Sequence, residues 1–184
     1  MHNARLADPL DPVVKEMKTI TGKTRKTDAD HDMIAYLEFV GGMYFVEGVG
    51  PYVPAANIRK AFIEAARKSK SGKLVEQGLF VDELINPLVY QGPRDLKGLW
   101  EDKTFVSRLC VKVQQARLMR TRPQFPSWAF DTTITFDPEV LDFARVKEFA
   151  QIAGNYIGVG DYRPLYGRFI ADVEELSDDF VPAV

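Results

Sequence analysis

The apolar positions along this chain change period several times, and each change predicts an element. Val14, Met17, Lys18 and Thr21 recur at helical spacing, so Asp11–Thr21 reads as a short helix. Thr21–Thr27 is polar and basic and reads as an exposed linker. Thr27 or Asp28 can cap a second helix, Asp28–Phe39, which carries Met33, Ile34, Leu37 and Val40 on one face. Gly41-Gly42 is expected to end it. Met43–Glu47 and Pro51–Val53, split by Gly48-Val49-Gly50, predict a tight hairpin. Pro54 then starts a helix that buries Ile58, Phe62, Ile63 and Ala66 and stops at Gly72.

Leu79–Val81 and Leu88–Tyr90 read as short extended pieces, with turn chemistry from Tyr90 to Trp100. Phe105–Met119 is the longest strand candidate, with a bulge expected where Gln114-Gln115 breaks the alternation. After a Thr121–Pro126 loop, Trp128–Phe136 reads as the returning strand, with Trp128 in the core. Phe143–Tyr156 is the last long helix and Gly167–Val173 the last strand. From residue 43 onward this order predicts a ferredoxin-like α+β fold, an antiparallel sheet with helices on one face. The Met43–Val53 hairpin is a short, interrupted candidate for its first strand. Residues 1–27 are expected to form an arm and linker, 28–173 the domain, and 174–184 an acidic tail.

Charge sharpens this picture. The formal net charge is only −2 over 184 residues, but it is unevenly placed. From Arg59 to Lys73 there are six basic residues, among them Lys60, Arg67, Lys68 and Lys70, against one acid, Glu64. Arg117, Arg120 and Arg122 follow one another with no acid between them. Asp172–Asp179 holds five acids and no base. Basic segments of this kind point to an anionic partner, although charge runs also serve as solvated helix faces. No apolar run is long enough for a membrane span, so no membrane partner is expected. With no signal peptide and a single cysteine, Cys110, a reducing cytoplasm is the expected compartment. Leu109-Cys110-Val111 predicts a buried structural thiol.

The stretch Gly154–Phe169 carries the most concentrated chemistry, with four glycines, two arginines and three tyrosines. Glycine lets a backbone approach a ligand closely. Arginine offers a planar fork suited to phosphate. Tyrosine offers a face on which a base can stack. Gly158, Gly160, Tyr162, Arg163, Gly167 and Arg168 are therefore the candidate nucleic-acid contacts of this loop, though glycines also serve turns. Arg59, Lys60, Arg67, Lys68, Lys70, Arg117, Arg120 and Arg122 are candidates for phosphate contact. Phe125 and Trp128 flank those arginines and can stack on bases or brace the hairpin. Catalytic equipment is sparse. His2 lies in the arm, and His31 sits among Asp28, Asp30 and Asp32, an acid-rich helix start favoured by the dipole over a metal site. No metal, cofactor or catalytic residue is expected.

Two segments together resemble the RAMP superfamily of CRISPR effector backbone subunits. Pro51-Tyr52-Val53-Pro54-Ala55-Ala56-Asn57-Ile58-Arg59-Lys60-Ala61-Phe62 is similar to their proline, small-residue, basic-helix motif. Gly158-Val159-Gly160 with Gly167-Arg168-Phe169 is similar to their glycine-rich loop between last helix and last strand. The chain is also similar overall to uncharacterised phage and prophage proteins, in which a stretch like residues 2–9 follows an N-terminal strand. The resemblance spans about Met1 to Val173. It implies an RRM-like fold that binds single-stranded nucleic acid, RNA before DNA, as a multimer along the strand. It also implies that the first strand is absent from this chain or supplied by another copy. Other functions it leaves open are a phage-encoded protein that blocks or mimics a host complex, and a structural assembly protein. Ala55-Ala56-Asn57 departs from the family's glycine-serine-serine type of turn, and the space for a thumb is small.

Overall fold

The computed structural model describes residues 3–113 and 115–176. The chain is a mixed α+β protein with antiparallel strand pairs. It divides into two compact units, residues 1–52 with 87–129 and residues 53–86 with 130–184, so the chain passes from one to the other three times. Among the described residues the strands form three separate sheets, where the sequence pattern suggested one.

In the first unit, α1 (Pro12–Thr21) is capped by the Asp11 side chain, with proline at its first turn. α2 (Asp28–Gly42) opens on a capping box between Thr27 and Asp30. It runs through both glycines that were expected to stop it, because Gly41 is a packing position. A Cβ there would stand 2.4 Å from Leu6 Cδ2. Residues 3–27 therefore lie against α2 of their own unit, with the Asn3 N–H donating to Gly42 O at 3.0 Å. The hairpin of β1 (Phe45–Val46) and β2 (Gly50–Pro54) forms as expected, and β4 (Ile85–Pro87) is the third strand of that sheet, in the order β1-β2-β4; the division between the units falls within β2 and within β4. That strand lies just before the predicted Leu88–Tyr90, of which Val89 makes a lone bridge to Ala129. The predicted turn region 90–100 contains a short helix, α5 (Leu96–Glu101), capped by Asp95. Phe39 and Tyr36 pack on Trp100, and Tyr90, Phe105 and Phe125 form an aromatic cluster.

The long predicted strand is two strands. β5 (Val106–Val113) and β6 (Ala116–Pro123) form a hairpin from Val106↔Pro123 to Val113↔Ala116. The expected bulge involves Gln114, which is outside the described residues. The segment read as a loop, Thr121–Pro126, thus begins as strand, and Trp128–Phe136 is not its return. Cys110, expected in the core, is exposed on β5.

In the second unit, α3 (Ala55–Arg67) buries Ile58, Ala61, Phe62, Ile63, Ala65 and Ala66. It packs against α4 (Gly72–Gly78) and α6 (Phe143–Ile152). Gly72 opens α4 rather than only ending α3. β3 (Leu79–Val81) pairs with β7 (Ile134–Phe136), the one part of the predicted Trp128–Phe136 strand that forms. Asn86 is fully buried, and its amide donates to Val53 O at 3.1 Å and to Glu83 O at 2.9 Å. α6 ends in a π-turn, Ala153–Ile157. Gly167–Val173 does not form the expected strand: among the described residues it joins no sheet, and its backbone bonds run to the loop before it, from Val159 N–H to Gly167 O and from Phe169 N–H to Gly154 O. Of the acidic tail, Ser177–Val184 lies outside the described residues.

Candidate nucleic-acid interface

In the second unit, α3 has one buried stripe and two charged flanks, and the flanks have different duties. On one, Arg59 donates to the carbonyls of Glu76 and Leu79, satisfying groups at the end of α4 that lack a helical partner. Arg67 pairs with Glu76 at 3.2 Å on the same side. Of these two predicted phosphate contacts, Arg59 is held by the fold, while Arg67 stays exposed in a surface ion pair. On the other flank, Lys60, Glu64 and Lys68 follow one another at intervals of four residues. Glu64 accepts from Arg163 at 3.1 Å and meets Lys60 at 3.8 Å. The Lys68 ammonium sits 4.3 Å from the centroid of the Tyr156 ring. This flank therefore brings Lys60 and Lys68 to the glycine-rich loop, while Glu64 offsets part of the local positive charge. Lys70 is exposed beyond the helix, in a left-handed conformation with φ 59°.

The loop is closed by its own backbone. Gly158 N–H donates to Ala153 O at 2.7 Å, and Val159 N–H to Gly167 O at 2.8 Å. Gly167 has φ 76°, and a Cβ there would stand 1.8 Å from Val159 O. Gly158, also at positive φ, faces Gly167 from across the closure. These glycines are needed for the loop to shut. Gly160 differs: its φ is 95°, yet a Cβ would meet nothing within 4 Å, so its backbone faces open space. At the tip, the Tyr162 and Tyr166 rings lie 5.8 Å apart, each more than half exposed. Tyr156 is 62% exposed. Exposed Arg168 lines an open depression of about 420 Å³ with Gly154, Asn155, Phe169 and Ile170.

In the first unit, the β5–β6 hairpin spans eighteen residues with five bases, Arg108, Lys112, Arg117, Arg120 and Arg122, and no acid. Arg120 and Arg122 share a face, as strand alternation requires. Arg120 is committed to Glu38 of α2, a carboxylate whose side chain is 6% exposed. Arg122 is half-buried, whereas Arg117 is exposed and sits across from Lys112. Phe125 packs 4.9 Å from Tyr90 and braces the cluster, and Trp128 is half-buried. Asp30 closes the capping box and takes a hydrogen bond from Lys23 at 2.6 Å. The Lys23 ammonium, with Thr27, pulls its carboxyl down to about 2. Among the described residues no three His, Cys, Asp or Glu side chains are grouped to hold a metal. His2 lies outside them.

Comparison with protein-family models, curated proteins and solved structures finds no match to this chain. The site is therefore read from its own residues. No helix among the described residues is long and apolar enough to cross a membrane. Sequence reasoning missed Glu38 and Glu76 and named Glu64 only as a charge, so it did not show that these carboxylates pair with Arg120, Arg67, Lys60 and Arg163. Only Lys60–Glu64 carried a signal, the four-residue spacing of opposite charges on a helix.

Proposed function

We propose that this protein binds single-stranded nucleic acid, RNA before DNA, without cleaving it. The observation that carries the reading is the closed glycine-rich loop. It exposes Tyr162 and Tyr166 at its tip and has Tyr156 under Lys68 beside it. Exposed rings accept stacked bases of any sequence, and neighbouring cations follow the phosphates. The exposed cations Lys68, Lys70 and Arg168 of the same unit supply the phosphate term.

The element order on either side of residues 82–133 supports a RAMP-type, ferredoxin-like reading. β2, α3, β3, β7 and α6 follow the β-α-β-β-α part of that order, with β3 and β7 antiparallel and α3 against α6, and Gly167–Val173 stands in sequence where its last strand would be. Residues 82–133 are then an insertion between the middle strands. A second reading, an interaction protein that engages a host or phage complex, draws on Leu165 and Ile170, which are 70% and 94% exposed.

Anisotropy titrations of labelled oligouridine, oligodeoxythymidine and duplex test the proposal. Tight single-strand binding that weakens steeply with salt and is poor for duplex supports it. Equal, weak binding of all three overturns it.

A further inference from the structure

The β5–β6 hairpin leaves a strand edge open. Gln124 N–H donates to Phe105 O at 2.9 Å, which fixes the phase of the ladder. Bonded and non-bonded pairs alternate in an antiparallel ladder. Arg108↔Thr121, Cys110↔Met119 and Lys112↔Arg117 are therefore the non-bonded pairs. Their backbone N–H and C=O groups point away from the partner strand. On β6 this outer side is used, since Thr121 N–H donates to Glu38 at 2.8 Å. On β5, the outward groups of Arg108, Cys110 and Lys112 face no strand among the described residues. All three residues are exposed.

Such an edge selects its partner by charge. Arg108 and Lys112 lie on one face, and like charges across a strand pair repel. A second copy of the same edge is therefore refused, which is how cations usually protect edges. An acidic segment outside the sheets is not refused. This chain contains one. Ile170–Leu176 lies outside any helix or strand and makes no backbone hydrogen bond among the described residues. Its residues alternate as a strand does. Ala171 and Val173 are half-buried, while Ile170, Asp172 and Glu174 are exposed on the other side. The edge and the segment match in the alternation of residues 170–174 and in opposite charge.

We infer that the β5 edge of one copy is filled by the Ile170–Leu176 segment of a second copy, which lays Asp172 and Glu174 along the face that carries Arg108 and Lys112. Each copy carries one edge and one segment, so the contact is heterologous and propagates to a ring or filament. This goes beyond nucleic-acid binding and does not depend on it.

Sedimentation of nuclease-treated full-length protein tests the inference, in reducing buffer because Cys110 is exposed. Mass should grow with concentration and fall with added salt. Arg108→Glu with Lys112→Glu should weaken assembly about tenfold or more, as should Asp172→Lys with Glu174→Lys. Mixing the two variants should restore assembly as alternating copies, because each variant repels itself while both contacts between unlike variants are attractive. Combining all four changes in one chain should restore assembly. A wild-type chain that stays monomeric at every concentration overturns the inference, and so does assembly that ignores both charge reversals. Variants that assemble poorly but are not rescued by the fourfold swap overturn it too.

Discussion

Glu38 accepts the backbone N–H of Thr121 at 2.8 Å with one carboxylate oxygen and pairs with Arg120 through the other. One side chain of α2 thus serves both the edge and the charge of β6. Thr121 is 1% exposed, so its N–H has no solvent to turn to. Glu38→Ala should cost about 2–3 kcal/mol in a urea melt, from an unsatisfied buried donor and a half-exposed arginine left alone. Arg120→Ala should lower stability with little change in nucleic-acid affinity. A large loss of affinity in a stable Arg120→Ala protein would return that arginine to the binding surface.

The exposed tyrosines predict the opposite separation. Tyr162→Ala with Tyr166→Ala should reduce single-strand affinity by about tenfold or more, the cost of losing a stacked base. The melting temperature should hold, since both rings are more than half exposed. The salt dependence should keep its slope, because no phosphate contact is removed. Anisotropy titrations at several salt concentrations read all of this.

Two glycines of one loop should respond differently to the same methyl group. Gly160→Ala meets only backbone strain, about 1–2 kcal/mol for a left-handed residue. Gly167→Ala drives its Cβ into Val159 O and cannot keep the closing hydrogen bond. Amide exchange at Val159 should be much faster in Gly167→Ala than in Gly160→Ala. Equal protection in the two variants would show that the closure does not depend on Gly167.

Glu83 predicts an acid limb of stability. Burial pushes its carboxyl up, but hydrogen bonds from the Thr133 backbone and side chain outweigh that and hold it below the usual value. The folded value is the lower one, so the stabilisation is complete above the unfolded value of about 4.3. It is lost as pH falls through the folded value. Melts from about pH 6 down to pH 3 should show a steeper decline for wild type than for Glu83→Gln.

Much of the helical skeleton was readable because its signals are local. Asp11 and Thr27 cap the helices they precede, and the stripe Ile58, Phe62, Ile63 and Ala66 is buried as its spacing demands. Leu79–Val81 also forms as read. The hairpin was hidden because Gln114-Gln115 lacks the glycine, asparagine or aspartate that usually marks a tight turn. Strand-like composition misled at Gly167–Val173, since a strand requires a neighbour and composition names none. Cys110 misled for a related reason: apolar neighbours suggest burial, yet a two-stranded hairpin has little to bury against. The cations were legible as charge and illegible as roles. Arg59 and Arg120 look no different in sequence from Arg168 or Arg117, because carboxylates and carbonyls tens of residues away retain the first two.

Because the chain crosses between its two units three times, neither unit is a continuous length of gene. A ribosome that has delivered residue 86 has made only the opening portions of both. The first unit can close only once residues 87–129 emerge, and the second only after residue 130 onward has followed. Until then the buried face of α3 has no α6 to cover it, since that helix begins at Phe143. A nascent chain of this design carries bare apolar surface through most of its synthesis, a period in which chaperone capture matters most. Dissection by simple truncation will cut through both units at once. Isolating either one requires rejoining its two pieces in a new order or with a new linker.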